Sequence, residues 1–325
     1  MTTHRKIRLA LVGCGEHAQV GHAMPLTRYK TANPDAIELA AACDIQLDRA
    51  QKFCTQYGFR HSYRNIEEAF SREEVDGCIT VVPPERISEV GAILLGRRIP
   101  CVVEKPLGST LAEVKALCAA AVASGTPNMV SVNRRFMPFL NRALQWVRNA
   151  GPIRYLRSTI ARHARSEPEF IWATAVHAVD TLRYIAGDVA GFECEPVCSP
   201  ANSVRWYTIH LHFQSGAEGR VDVLPTTGML EETYDLFGDG FRSSVTCPFG
   251  RKRGWLAHLD GVVVEEEVAP ADMPEDVLNG CYDETAAFIE GLQGGRALKP
   301  TIADVAPSVE ICMSIAKSMQ LERVK

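Results

Sequence analysis

The chain carries a glycine pattern that can bind phosphate, directly after its first apolar run. Residues 7–12 read IRLALV and residues 13–18 read GCGEHA, which matches G-x-G-x-x-G/A between a strand and a helix. Gly13 permits a tight turn, and Gly15 lets the backbone approach a pyrophosphate closely. The N–H groups that begin the helix have no partners within it, so they can bind an anion. The pattern therefore predicts a dinucleotide-binding loop.

A carboxylate ends the second apolar run of the chain, which reads IELAAACD and finishes at Asp44. In a dinucleotide-binding fold, a carboxylate at the end of the second strand accepts hydrogen bonds from the adenosine ribose hydroxyls. Asp44 also fits the start of the helix predicted for DRAQKF, because aspartate is a good capping residue. If Asp44 contacts ribose, its charge repels a 2′-phosphate, and no arginine follows it immediately. We therefore predict NAD as the cofactor rather than NADP.

The elements that must position these residues alternate between short apolar runs and longer helical stretches. Up to about residue 125, runs such as GCITVV and PCVV are each followed by stretches such as ERISEVGAILLGRR and TLAEVKALCAAAVASG. This alternation predicts parallel strands joined by right-handed crossovers. Strands that are apolar throughout are typical of a sheet covered by helices on both faces. We predict an N-terminal Rossmann domain, a doubly wound parallel sheet, over residues 1–130.

The pattern changes after residue 130. A helical stretch runs from about Pro138 to Asn149, and polar and apolar residues then alternate in VRWYTIHLHF, GRVDVLPTT and EETYDLFG. Such alternation predicts a sheet with one face on the core and the other free. We predict a C-terminal α/β domain over residues 131–325, with a large open, mostly antiparallel sheet. We assign aromatic or aliphatic residues to many outward positions, and therefore predict a homo-oligomer, a dimer or tetramer, that covers the free face.

The composition excludes several classes of partner. The formal net charge is −4, so the chain has no basic surplus for a nucleic-acid backbone. No apolar run approaches the length of a membrane span, and the first one leads straight into glycines, as a strand does and a signal peptide does not. The 11 cysteines lack C-x-x-C spacing, which favours a reducing, cytoplasmic location. Cys194 and Cys198 are the closest pair, but no third ligand lies near them in sequence, so we predict no metal site.

Further motifs, taken with the glycine loop, resemble a known enzyme family. In chain order they are GCGEHA, ACD, VPPERISEV, PCVVEKPLGSTLAEV, NRRF-x-P and H-x-x-D. This series resembles the glucose-fructose oxidoreductase, inositol dehydrogenase and rhizopine-catabolism (Gfo/Idh/MocA) family over essentially the whole chain, most distinctively in its N-terminal half. The resemblance implies a Rossmann domain joined to an α/β domain, with the active site between them.

The resemblance also implies roles for individual residues. Lys105 is the catalytic lysine and contacts the substrate, and His177 and Asp180 are catalytic residues on one helix of the second domain. His177, Arg134 and Arg135 are implied substrate contacts. The implied cofactor contacts come from Gly13, Gly15, Glu16, His17, Asp44, Val82, Pro83, Glu104, Lys105 and Asn133.

The residues themselves agree with two of these roles. Lys105 follows an apolar strand, which places it at the carboxyl edge of the predicted parallel sheet, where doubly wound folds bind ligands. His177 and Asp180 are three residues apart, so on a helix they share a face. Family members with complete dehydrogenase sites usually carry an acid or amide four residues before the histidine, and that position is Ala173 here. Glu167 and Glu169 are candidates to replace the missing group from a nearby loop.

The implied activity is that of an NAD-dependent oxidoreductase. It interconverts a secondary alcohol and a ketone on a sugar, cyclitol or similar polyhydroxylated small molecule. Two alternatives stay open on the sequence: a redox-neutral glycoside hydrolase or lyase with tightly bound NAD, and a non-catalytic NAD-binding regulator. The first uses the same residues, and Ala173 is the only feature that favours the second.

Overall fold

The computed structural model describes residues 5–197 and 206–319. Contacts divide the chain into two compact units. The first comprises the chain up to Val132 together with Cys281–Pro307, and the second comprises Asn133–Gly280 and the chain from Ser308 onward. Each unit contains two separate segments of the chain, whereas the sequence predicts one boundary at residue 130, so that domain division stays a prediction.

The first unit contains a six-stranded parallel sheet in the order β3-β2-β1-β4-β5-β6. Val12 pairs with Cys43 on one side of β1 and with Thr80 on the other, so the three strands end level with one another. The order is that of a doubly wound dinucleotide-binding sheet, as predicted. The strands are β1 (Ile7–Val12), β2 (Ile37–Cys43), β3 (His61–Tyr63), β4 (Gly77–Thr80), β5 (Cys101–Glu104) and β6 (Asn128–Ser131).

The helices of the first unit begin where the sequence supplies capping groups. The Thr110 hydroxyl accepts from the Glu113 N–H, and the Asn65 side chain accepts from the Glu68 N–H, which satisfies free donors at two helix starts. The helices are α1 (Glu16–Ala18), a π-helix (Gln19–Ala23), α2 (Met24–Ala32), α3 (Leu47–Tyr57), α4 (Ile66–Arg72), α5 (Pro84–Gly96), α6 (Leu111–Ser124) and α11 (Cys281–Gly294). Strands β1, β2, β4 and β5 are almost entirely buried, as expected for a sheet covered on both faces.

The second unit contains an eight-stranded sheet in the order β14-β13-β12-β11-β7-β10-β9-β8. Only β7 and β10 pair in parallel among its described strands, so the mostly antiparallel sheet that we predict is confirmed. The strands are β7 (Tyr155–Ala161), β8 (Val189–Val197), β9 (Trp206–Phe213), β10 (Glu218–Leu224), β11 (Glu231–Gly238), β12 (Phe241–Thr246), β13 (Gly254–Leu259) and β14 (Val262–Val268).

Two helices, α7 (Pro138–Ala150) and α9 (Val176–Ala186), pack on this sheet. Helix α7 contacts β12 and β13, whereas α9 contacts β7 and β10. The helices are a 3₁₀-helix (Asn133–Phe136), α7 (Pro138–Ala150), α8 (Phe170–Ala173), α9 (Val176–Ala186) and α10 (Glu275–Leu278). The last helix, α12 (Ile302–Ser318), contains residues of both units.

The outward positions of this sheet are more polar than we expect from the sequence. In β9 the apolar residues Tyr207, Ile209, Leu211 and Phe213 are all buried, and the alternate positions include Thr208, His210 and His212. In β10 the alternate positions include Arg220 and Asp222. In β9 and β10 the apolar phase faces the core, so of the aromatic or aliphatic residues assigned to many outward positions only Trp206 and Leu224 lie on the outward phase of these two strands, and both are half-buried.

Two further sequence-based expectations bear on the described residues. No helix in this part of the chain is long and apolar enough to cross a membrane. The ten described cysteines are free thiols. Cys198 lies outside the described residues, so the pair that it forms in sequence with Cys194 cannot be assessed.

Candidate functional site

The first unit gathers most of the predicted cofactor residues at one edge of its sheet. Strands β1, β2, β4 and β5 are parallel, so their carboxyl ends lie along the same edge. The connections switch direction on either side of β1, which is where doubly wound sheets form their binding crevice. The residues that follow these ends are the 13–18 loop, Asp44, Val82 with Pro83, and Lys105.

The glycine loop has the backbone that a pyrophosphate requires. Gly13 has a φ of +93°, and a Cβ at this position would lie 2.0 Å from the Val81 carbonyl oxygen, so only glycine fits. A Cβ at Gly15 would meet no protein atom within 4 Å, so the loop is open on that side. Glu16 and His17 begin α1 as exposed residues, and their N–H groups belong to the first turn of the helix. The loop therefore fits a bound dinucleotide.

Asp44 is directed at this loop. One carboxylate oxygen accepts from the Cys14 N–H at 2.8 Å, and the other accepts from the Gln46 N–H at 2.8 Å. Gln46, not Asp44, is the N-cap of α3, so the capping alternative does not describe this carboxylate. Each carboxylate oxygen can accept more than one hydrogen bond, so capacity remains for ribose hydroxyls.

Glu104 ends β5 and lies between two histidines. Its Oε1 is 2.7 Å from Nε2 of His22 and 3.1 Å from Nε2 of His17. The side chains of Glu104 and His22 are 5% and 3% exposed, whereas that of His17 is 62% exposed. Burial alone raises the pKa of Glu104, but the charge and hydrogen bonds of the two histidines outweigh it and hold the pKa well below its usual range.

His22 is a site residue that the sequence analysis missed. It lies in the π-helix and is buried, so a polar ring there needs a partner. The signal in the sequence is a second histidine five residues after His17 in the stretch that follows the glycines.

Lys105 directly follows Glu104 and is half-buried. Its backbone N–H donates to Glu104 Oε2 at 3.2 Å, so both oxygens of the Glu104 carboxylate have hydrogen-bond partners. Leu107, two residues later, is fully buried with a φ of +77°. A leucine is rarely found in this left-handed region, and such strain clusters at functional sites. The turn that carries Lys105 is therefore fixed in a strained conformation.

The second unit holds Asn133, Arg134 and Arg135 on its first short helix. The Asn133 amide donates to the Asn279 carbonyl at 2.8 Å and accepts from Arg134. Arg134 makes two hydrogen bonds, of 2.8 and 3.0 Å, with the fully buried Glu232. Asn133 and Arg134 thus also make structural hydrogen bonds within their own unit.

His177 and Asp180 lie on α9, as predicted, and both are buried. Asp180 accepts two hydrogen bonds from Arg135, at 2.7 and 2.8 Å, and one from Ser308 at 2.9 Å. This bidentate ion pair fixes the 3₁₀-helix to α9. Asp180 therefore has a positioning role within the second unit, whatever part it takes in chemistry.

Glu232 and Arg162 are further buried ionic residues that the sequence analysis missed. Both Arg162 and Arg134 pair with Glu232, and the ring of Phe249 lies 4.7 and 5.9 Å from their guanidinium carbons. Burial raises the pKa of Glu232, but the two arginines lower it by a larger amount, so the pKa lies below its ordinary value. Strand alternation could have found Glu232, because it shares the inward phase of β11 with Tyr234 and Leu236.

Ala173 ends α8, and the two candidate replacements for its missing acid lie just before it. Glu167 pairs with Arg165 on the exposed loop that follows β7. Glu169 is the N-cap of α8 and accepts the Ala173 N–H at its carbonyl.

The chain is similar to several known proteins. A family model described as an oxidoreductase family with an NAD-binding Rossmann fold matches residues 7–133. A 4-carboxy-2-hydroxymuconate-6-semialdehyde dehydrogenase from Sphingobium sp. is 24% identical, over 98% of this chain and 99% of its own. A D-apiose dehydrogenase from Paraburkholderia graminis is 27% identical, over 58% of this chain and 52% of its own.

Solved structures share the fold of both units. An oxidoreductase from Agrobacterium radiobacter, crystallised with NAD⁺, L-tartaric acid and magnesium, superposes with a TM-score of 0.81. It is 18% identical, and the match covers 97% of this chain and 96% of the other. At this identity the likeness shows the fold alone.

Proposed function

We propose that this chain is a member of the Gfo/Idh/MocA oxidoreductase family, whose model matches residues 7–133, and that it is an NAD-dependent dehydrogenase of polyhydroxylated small molecules. It interconverts a secondary alcohol and a ketone on a sugar, a cyclitol or a similar substrate. The observation that carries the proposal is the edge of the first sheet, where the glycine loop, Asp44 and Glu104 adjoin Lys105. The bound dinucleotide supplies the hydride acceptor or donor.

Each residue at this edge has a separate task in the proposal. The N–H groups of the 13–18 loop bind the pyrophosphate, and Asp44 binds the adenosine ribose. Asp44 repels a 2′-phosphate, which favours NAD over NADP. Glu104, Val82 and Pro83 contact the nicotinamide half of the cofactor. The family model that matches residues 7–133, whose fold is described as NAD-binding, supports a dinucleotide at this edge.

Lys105 performs the proton transfer in the proposal. In the oxidation of the alcohol, the neutral Lys105 amine would take the hydroxyl proton, and in the reduction of the ketone, the Lys105 ammonium would give that proton to the carbonyl oxygen. The strained turn at Leu107 holds the lysine in place, so little freedom is lost when substrate binds. His177 shares this proton transfer. Arg134 and Arg135 contact the substrate, and Asn133 contacts the cofactor. Asp180 positions Arg135.

Two other activities differ from dehydrogenation in their products. A hydrolase or lyase that keeps NAD bound releases a leaving group without net formation of NADH, and a regulator binds NAD without turnover. The names of the relatives favour the dehydrogenase. We also place the enzyme in the cytoplasm, since its cysteines include ten free thiols.

The test is a substrate panel with NAD and, separately, NADH, followed at 340 nm. The panel contains polyols, aldoses, cyclitols and keto-sugars, together with carboxylated semialdehydes because of the Sphingobium relative. We expect a change in absorbance with one class. Silence across all classes, or release of a leaving group with no net NADH, would contradict the proposal.

A further inference from the structure

Three metal-binding side chains of the first unit converge on one point. Nε2 of His17, Nε2 of His22 and a carboxylate oxygen of Glu104 all lie within 4.8 Å of one another. We propose that these three residues bind one Zn²⁺ or a similar transition-metal ion in the dinucleotide-free protein, and that this ion and the dinucleotide exclude each other. The ion is exchangeable and is separate from the hydride chemistry. The second part rests on the proposed function, whereas the first does not.

The donor set suits zinc. Two imidazoles and one carboxylate form the ligand set of zinc sites that keep a fourth position open. Ligands of tetrahedral zinc, at about 2.0–2.1 Å from the metal, lie about 3.3 Å apart. The nitrogens of His22 and His17 are 2.7 and 3.1 Å from Glu104 Oε1, so each contact opens only slightly when an ion replaces the proton of each hydrogen bond. The two nitrogens lie within 4.8 Å of each other, so they need only a small approach to share the ion.

The π-helix is what brings the two histidines together. Residues five apart on an α-helix point about 140° away from each other around the axis. Here the Met24 N–H donates to the Gln19 carbonyl, which is a π-type bond between residues five apart. This wider turn brings the side chains of His17 and His22 to one side, with their rings nearly perpendicular and 6.2 Å apart. Single π-turns are rare in proteins, and those that are found often lie at functional sites.

The burial of the three ligands indicates how an ion would enter. The side chains of His22 and Glu104 are buried, whereas His17 is largely exposed and lies on the solvent side of the proposed metal site. Glu104 is held by a second contact, from the Lys105 N–H, which orients its carboxylate as outer-shell partners of metal sites do. The site therefore has two fixed ligands and one that can close over an ion from solvent.

Competition with the dinucleotide follows from the position of His17. This residue is part of the glycine loop, and Glu104 is a proposed contact of the nicotinamide half. An ion that holds both side chains occupies groups that the dinucleotide needs. Linkage requires the effect to be reciprocal, so zinc weakens NAD binding and NAD weakens zinc binding by the same factor.

The test is calorimetric titration of the full chain with Zn²⁺ after removal of bound metals and dinucleotide. We expect one ion per chain, and a visible spectrum of tetrahedral coordination when Co²⁺ replaces zinc. His17→Ala and His22→Gln each weaken zinc binding about 100-fold or more, because each removes a ligand. His17 is exposed, so its loss leaves folding intact, and thermal melting of both variants checks this.

A second histidine–carboxylate pair supplies the matched control. His61 lies 2.6 Å from Glu73 in the same unit, and His61→Gln should leave zinc binding unchanged. The absence of stoichiometric zinc binding in the wild type, or equal binding by the wild type and His17→Ala, would overturn the site. An NAD affinity that is the same with and without saturating zinc would overturn the competition. Neither result depends on whether the enzyme proves to be a dehydrogenase.

Discussion

Both carboxylate oxygens of Asp44 accept backbone hydrogen bonds, one of them from the glycine loop itself. A 2′-phosphate on the ribose would therefore face a fixed negative charge. We predict that NAD binds more tightly than NADP by at least about 2–3 kcal/mol, and that Asp44→Ala narrows this gap. Calorimetry with both dinucleotides measures it.

Asp48 offers a matched control for this prediction. It is an exposed carboxylate in the first turn of α3, four residues beyond Asp44. Asp48→Ala should keep the wild-type preference. Tighter binding of NADP by the wild type would contradict the assignment of Asp44.

His177 allows catalysis to be separated from structure. If it shares the proton transfer, His177→Ala lowers turnover by about 100-fold or more. Ala173 leaves no acid at the usual position to orient the ring, so an effect at the lower end of this range fits the site. The measurement is turnover per folded molecule together with thermal melting, with the outward-facing His210→Ala as control. Reduced stability with unchanged turnover would show that His177 is only structural.

At the scale of elements, β11 is fixed to its surroundings through Glu232. Its lowered pKa means that ionised Glu232 stabilises the fold, fully above the unfolded pKa of about 4.3 and less as pH falls through the folded value. We predict that Glu232→Gln lowers the free energy of unfolding by about 3–5 kcal/mol at pH 7, since it leaves two arginines without their buried partner.

Denaturant unfolding between pH 7 and pH 3 tests this prediction. The difference in stability between wild type and Glu232→Gln should begin to shrink below the unfolded pKa of about 4.3, where the unfolded wild type takes up a proton, and should go on shrinking as pH falls through the lowered folded pKa. The neighbouring Glu231→Gln, on the other phase of β11, should have a small effect at all pH values. A difference that is constant from pH 7 to pH 3 would contradict the role of the ion pair.

The sequence predicts those elements whose signals are local. The GCGEHA loop, Asp44 and Lys105 each follow a short apolar strand, so order along the chain alone places them at one sheet edge. Strand β14 lies at the edge of its sheet and is largely exposed on both faces. Its sequence, VVVEEEV, therefore does not alternate between polar and apolar residues, and this pattern does not predict a strand.

The ionic contacts depend instead on residues far apart in sequence. Arg134 and Glu232 are separated by 98 residues, and His22 and Glu104 by 82. No periodicity connects such pairs. The sequence does show that a carboxylate or histidine on a buried face needs a partner, but it does not identify that partner.

At the scale of the whole molecule, we predict a homo-oligomer, a dimer or tetramer, formed through the outward face of the eight-stranded sheet. Arg157 and Arg220, both partly exposed, flank Asp222 on this face, so the interface would be polar and sensitive to salt. Light scattering after size exclusion at low and high ionic strength tests this. A monodisperse monomer at micromolar concentration in low salt would contradict it.

The most direct test of the account is the comparison of Lys105→Met with the wild type, using the substrate that the panel identifies. We predict that the wild type forms one NADH per substrate oxidised, whereas Lys105→Met forms none above background. The variant should bind NAD within about tenfold of the wild type, because the glycine loop and Asp44 hold most of the dinucleotide. Unchanged turnover in Lys105→Met would contradict the proposed mechanism.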